Sequence, residues 1–395
     1  MKGRVRDGRR VPRGARASVR LLVAAAAGWA MAPTLGCAGA TATGPPPAIA
    51  LPIATSVTTS AGTWASVPMG HLKQHLNTFW QLFFQRAGAK GGWKDVATRL
   101  AVATNGGVLL SEAPGAPLVV AVRPSNQLHF TALVTSVGGR TWSPRRPVDG
   151  TVSSLATSGD QVVALVKSRS GGRVVTSSGG AWKDLVSAMS LASSGGRRCA
   201  PLVLTAVATD ASGNPLIGAS CGGAGAVGIF SERAGRWRSV GPAVGSPTAH
   251  VEVVSLSTTD GRTNALLAVA TGSTTLLVDG ILVTARWRLS EPLVLGAETR
   301  LVSTGPSPSG GVFVLSASRS GRERLAVSSR LGRRWALLPR PPEGTESVAF
   351  AGSGRVDAFV VGGTVMTDWV LDSGASSWTK GKASRVRILF GSSTI

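Results

Sequence analysis

Apolar residues in this chain gather in short runs closed by Gly-, Ser- or Asp-rich turns, a strand-and-turn pattern without the spacing of amphipathic helices. Residues 151–187 show the unit most plainly. Val152–Thr157 is followed by a Ser-Gly-Asp turn, Gln161–Lys167 by Gly171-Gly172, and Arg173–Thr176 by Gly179-Gly180, before a last run from Trp182 to Val186. That is four strands and three turns. The same order returns at about 202–241, 251–290, 299–340 and 346–380, and at 101–147 with longer joins. Near-continuous apolar strands suit sheets covered on both faces. No stretch sustains a helical period, and the best candidate, around Gly70–Leu76, is under two turns long.

Each unit contains a tryptophan, usually just after a Gly-rich turn: Trp93, Trp142, Trp182, Trp237, Trp287, Trp335 and Trp378, at successive spacings of 49, 40, 55, 50, 48 and 43 residues. Four strands recurring at that period predict an all-β fold, a β-propeller whose blades cover one another around one axis. Seven blades of four antiparallel strands is the favoured count. Six or eight are the alternatives, according to how residues 61–110 are divided. The first blade is atypical, with strand candidates at Thr63–Met69 and Thr78–Gln85, and the last run, Arg385–Phe390, is expected to pair into it and close the ring. A propeller fixes architecture and leaves chemistry open, because the same fold carries enzymes, receptors and scaffolds.

The first 36 residues depart from the repeat. Lys2 to Arg20 hold eight Lys or Arg and one Asp, and Leu21 to Gly36 are uncharged and apolar, which predicts a signal peptide at 1–36. The apolar run is short for a membrane span and is broken by Gly28 and Pro33. Thr34-Leu35-Gly36-Cys37 resembles a bacterial lipobox, with Thr34 where a branched aliphatic residue is usual, and this resemblance implies lipidation of Cys37. Small-residue cleavage sites at Ala38-Gly39-Ala40 and Ala40-Thr41-Ala42 offer the alternative of a freely secreted product. Residues 37–60, rich in Ala, Thr, Pro and Ser, read as a disordered tether. The propeller is then 61–395.

Export changes how the cysteines are read. Cys199 precedes one apolar run and Cys221 ends the next, with Asp210–Asn214 as the turn between, so antiparallel pairing brings them to the open end of one hairpin. An oxidising compartment makes that pair a disulfide. The formal charge of +23 falls to +16 once the signal peptide leaves. Thirty-four Arg beside eight Lys point to a compositional bias behind part of this charge.

Thr135-Ser-Val-Gly-Gly-Arg-Thr-Trp142 resembles the Asp-box of sialidase-like propellers, Ser-x-Asp-x-Gly-x-Thr-Trp, with Val137 in place of the Asp. Ser231–Trp237 and Ser177–Trp182 are looser echoes, and the opening segment from Gly62 is similar to that of uncharacterised exported actinobacterial proteins. The resemblance implies the fold. It does not carry the sialidase activity, whose mechanism needs a tyrosine nucleophile, because the chain has no Tyr.

Other chemistry is thin. Gly218-Ala-Ser220-Cys-Gly222 matches a hydrolase elbow, but that motif needs a strand running into a helix and here a hairpin end is expected. His71 and His75 form a His-x3-His pair without a third ligand nearby, although His129 and His250 could join them in a ring. No phosphate loop, Cys-x2-Cys pair or dinucleotide fingerprint is present, and no cofactor is expected. The one distributed feature is basic: Arg236-Trp-Arg238, Arg286-Trp-Arg288 and Arg333-Arg334-Trp335 place guanidinium groups beside the tryptophans, a candidate anion-binding rim. An exported chain does not meet nucleic acid, so its partners are expected to be anionic envelope polymers, lipid headgroups or envelope proteins. The reading is an exported, lipid-anchored, non-catalytic propeller that binds or scaffolds at the cell envelope. Its alternatives are a secreted carbohydrate-active enzyme using carboxylates at the propeller face, and an envelope assembly factor that holds protein partners.

Overall fold

Each apolar run pairs with the next across a tight turn, so the strands assemble into antiparallel sheets in sequence order. The computed structural model describes residues 55–386 apart from short internal segments, and among the described residues there are seven such sheets. Blades 1 to 7 occupy 56–95, 108–149, 152–187, 201–239, 250–295, 299–337 and 345–385. Each has four strands, and blade 5 adds a short fifth, Leu293–Leu295, on the edge of its third strand.

The first strands of neighbouring blades adjoin one another around the axis, and the fourth strands form the exposed outer edge. Hydroxyl groups stitch the inner strands together. Ser111 bonds Thr157 at 3.1 Å, Thr209 donates to the Thr157 carbonyl at 3.1 Å, and Ser154 accepts the Val207 amide at 3.0 Å. Small side chains suit this position because the blades converge there.

Each blade-to-blade interface holds its own apolar cluster, from Trp64, Leu82 and Val120 between blades 1 and 2 to Val67, Phe83 and Phe359 between blades 7 and 1. The repeating tryptophan of every blade packs into the cluster it shares with the blade before it. In four blades the indole also clasps that neighbour: Trp182, Trp287, Trp335 and Trp378 donate to the carbonyls of Arg146, Val240, Glu291 and Pro339. A large amphipathic ring is well placed there, since its body fills the interface and its N–H satisfies a backbone acceptor at the edge.

The structure corrects three expectations. Ser56–Thr58 lies inside the segment read as tether, yet it pairs with Thr63–Ala65 as the first strand of blade 1. Three residues with one apolar side chain carry no visible strand signal until a partner is supplied. The ring also closes differently. Arg385 pairs with Val365 inside blade 7, all four strands of blade 1 come from 56–95, and residues 387–390 lie outside the described residues. Closure is by packing, by a Gly70 amide to Gly363 carbonyl bond of 2.9 Å, and by Thr58 and Ser347 side chains donating to Phe350 and Ser66 carbonyls. Finally, Ala188–Gly195 forms a helix that hydrophobic periodicity misses. Ser187 and Ser190 cap it reciprocally, each hydroxyl accepting the other's backbone amide, a Ser-x-x-Ser version of a capping box.

Candidate functional site

Strand alternation decides where the rim arginines go. On the fourth strands of blades 4 and 5, Trp237 and Trp287 turn inward, so Arg236, Arg238, Arg286 and Arg288, one residue to either side, turn out. All four are exposed, as are Arg333 and Arg334 before Trp335 in blade 6. Blades 4, 5 and 6 are consecutive, so the six guanidinium groups lie along one arc of the outer edge. Of the six, Arg334 alone has a carboxylate at ion-pair distance among the described residues, Glu291 at 3.8 Å.

A second concentration of polar groups follows from chain direction. Antiparallel strands alternate, so the connections between second and third strands, and those leading from one blade to the next, all emerge on one face. Cys199 and Cys221 meet there as a disulfide with Cα atoms 5.2 Å apart, both buried against the cluster between blades 3 and 4. One residue earlier, Ser220 lies 3.2 Å from His250 Nε2, at the start of the first strand of blade 5. The sequence suggested neither partner for the other, because the pairing needs two blades side by side. It supplies a hydroxyl and a base in contact, but Ser220 sits at a hairpin end where no strand runs into a helix. His129 is exposed at the start of the third strand of blade 2, while His71, His75 and Cys37 lie outside the described residues.

Around the same face, blades 2 and 3 contribute Arg123 and Lys167, and blades 6 and 7 contribute Glu323, Arg300 and Glu346. Arg123 ends the buried strand Leu118–Val122 and is itself 6% exposed. Its Nη1 donates to the Val152 carbonyl at 3.2 Å, while Nε has no hydrogen-bond partner. Burial lowers its guanidinium to about 10, and burial together with Arg123 lowers the Lys167 ammonium. On the opposite side of the ring, burial and then the Glu323 charge raise Glu346, with Arg300 pulling the other way. Glu323 uses one oxygen to accept the Gly344 amide at 2.9 Å. Sequence reading missed all five of these residues. The available signal for Arg123 was a lone charge at the end of an apolar strand, followed directly by Pro124.

Other buried carboxylates are deep in interfaces. Asp279 accepts from Ser328 between blades 5 and 6, and Asp357 is forked by Arg355 in blade 7. Among the described residues no group of three or more His, Cys, Asp or Glu could hold a metal ion.

These features define a seven-bladed β-propeller with a basic outer arc and polar groups gathered on one face. No protein-family model matches the sequence, and no curated protein matches it. Among solved structures, the chain is similar to the periplasmic gluconolactonase of Pseudomonas aeruginosa, at 14% identity and a TM-score of 0.52, over 81% of this chain and 95% of that one. It is also similar to TolB from Acinetobacter baumannii, at 14% identity and a TM-score of 0.46, over 72% of this chain and 65% of that one. A prolyl endopeptidase matches at 12% identity and a TM-score of 0.48 over 85% of this chain, which spans 50% of the endopeptidase. At this level of identity the likeness to the gluconolactonase shows the propeller fold alone.

Proposed function

We propose that this chain is an exported propeller, held at the outer face of the cell membrane by a lipid on Cys37, that binds anionic envelope polymers or lipid headgroups without transforming them. The observation that carries the reading is the arc over blades 4 to 6, where six exposed guanidinium groups stand with a single carboxylate at ion-pair distance among the described residues. Exposed charges of one sign attract polyanions through their summed field, and that attraction is screened beyond about 8 Å at physiological salt. Sedimentation with anionic and neutral envelope fractions tests this. Binding is expected to anionic fractions only, to fall as salt rises, and to be lost when Arg236, Arg238, Arg286 and Arg288 are all changed to Gln. Salt-insensitive binding, or a variant that binds like the parent, refutes it. Anchoring is tested separately by mass spectrometry of the mature amino terminus, where an unmodified start at Thr41 or Thr43 defeats the lipid but leaves export standing.

A second reading, a carbohydrate-active hydrolase or lyase, is favoured by one observation: two interacting carboxylates, Glu323 and Glu346, on the face where the blade-to-blade connections emerge, one of them raised as a general acid must be. It requires that turnover of an anionic glycan vanish in both Glu323→Gln and Glu346→Gln.

A further inference from the structure

Arg123 presents an energetic problem that the arc reading does not address. A guanidinium has five N–H donors, and this one is almost wholly buried with a single hydrogen bond, to a neutral carbonyl. Taking a cation out of water costs several kcal/mol unless a counter-charge meets it. None does among the described residues. The chain has no Asp or Glu from Ala113 to Val148, and none from Gln161 to Lys183, so the segments flanking Arg123 and Lys167 supply no carboxylate either.

The geometry aggravates the cost. The Lys167 amide donates to the Thr151 carbonyl at 2.9 Å, next to the Val152 carbonyl that holds Arg123, so a second cation begins beside the first on the same face. The backbone around Arg123 is fixed. Its amide bonds the Gly107 carbonyl at 2.8 Å and its carbonyl accepts the Gly106 amide at 2.9 Å. A Cβ on Gly106 would lie 2.5 Å from the Pro124 carbonyl, so no other residue fits that approach. Two like charges are thus presented from adjacent blades by fixed main chain, with an unpartnered Nε on the more buried one.

We propose that Arg123 and Lys167 form a binding site for a doubly charged oxyanion, a phosphate or sulfate group, on this face at the junction of blades 2 and 3. Arg123 supplies directed N–H donors and Lys167 a mobile point charge, the combination that suits a tetrahedral group with several acceptor oxygens. The site is independent of the outer arc, which lies on blades 4 to 6.

Calorimetric titration of the mature chain with inorganic phosphate, with sulfate, and with acetate as a monoanionic control tests the proposal, alongside melting curves in each anion. One saturable site is expected for at least one dianion, accompanied by a rise in Tm, with acetate much weaker; comparison of phosphate with sulfate identifies which group the site prefers. Lys167→Gln, an exposed change, should weaken binding about tenfold with Tm unaltered, as loss of one charged contact does. Arg123→Met should abolish binding. The variant with four arc arginines changed to Gln should bind the small anion like the parent, which separates failure of this site from failure of the arc. No saturable binding of phosphate or sulfate by the parent overturns the proposal, and so does Lys167→Gln binding as well as the parent.

Discussion

The interface between blades 4 and 5 and the one between blades 7 and 1 do the same job with different chemistry. The first is aliphatic: Leu216, Ile229, Val253, Leu267 and their neighbours, edged by Trp287. The second stacks Phe83 on Phe359 with centroids 6.5 Å apart and sets Trp93 edge-on to the same ring at 4.9 Å, beside a fully buried Asp357 held by Arg355 of the same blade. The difference follows from connectivity. Blades 4 and 5 are brought together by the chain itself, and a contact such as Thr205 to Val253 spans 48 residues. Thr58 to Phe350 spans 292, which costs about 1.6 kcal/mol more in loop-closure entropy. The closing contact must also select the right partner from seven similar edges. Aromatic contacts across the interface depend on ring geometry in a way that aliphatic contact does not. Asp368 adds to the shape: its carboxylate lies so close to Gly381 that a Cβ there would meet it at 2.7 Å.

The largest test of this contrast is Phe359→Ala, expected to cost about 3–5 kcal/mol, more than Leu267→Ala at the aliphatic interface. Urea unfolding of both variants measures it, and an equal or smaller loss for Phe359 removes the distinction.

Between these extremes, the interface of blades 3 and 4 is reinforced covalently. Replacing Cys199 and Cys221 by Ala should cost about 3 kcal/mol, the entropy of a loop of 22 residues. Thiol labelling of the unreduced, denatured protein at both positions would show that no bridge exists to be lost.

Blades 5 and 6 bury a carboxylate without an opposing cation. Burial pushes Asp279 from the ordinary 3.8 up to about 6, although the Ser328 hydroxyl pulls it down. The native state therefore keeps a proton that the unfolded chain releases between about pH 4 and 6, so stability should fall by about 2–3 kcal/mol as pH rises through that window. Asp279→Asn should remove most of this slope. Glu112, raised from 4.5 to about 7 by burial, adds a slope of the same sign between about pH 4.5 and 7, which this variant leaves in place. Unfolding curves from pH 4 to 8 that are parallel in parent and variant would acquit Asp279.

The smallest effect concerns the tryptophan clasp. Trp287→Phe keeps most of the apolar contact but leaves the Val240 carbonyl without its donor, a loss of about 1–2 kcal/mol. A Tm identical to the parent's would mean that packing alone holds the interface.

Much of this fold was legible because its signals are local. The strand period, the turn glycines and a tryptophan per unit gave seven blades, and one hairpin's length brought Cys199 to Cys221. Period-two alternation about Trp237 and Trp287 also settled that their flanking arginines face solvent, a consequence contained in three consecutive residues. Tertiary structure alone decided what neighbouring blades present to each other. Arg123 with the Val152 carbonyl, Ser220 with His250, Asp279 with Ser328, and Phe83 with Phe359 each join different blades. A repeating sequence states what every blade contains, but the register between blades is fixed by packing across the interface. A lone arginine after Val122 therefore reads as an ordinary strand end until blade 3 is placed against it.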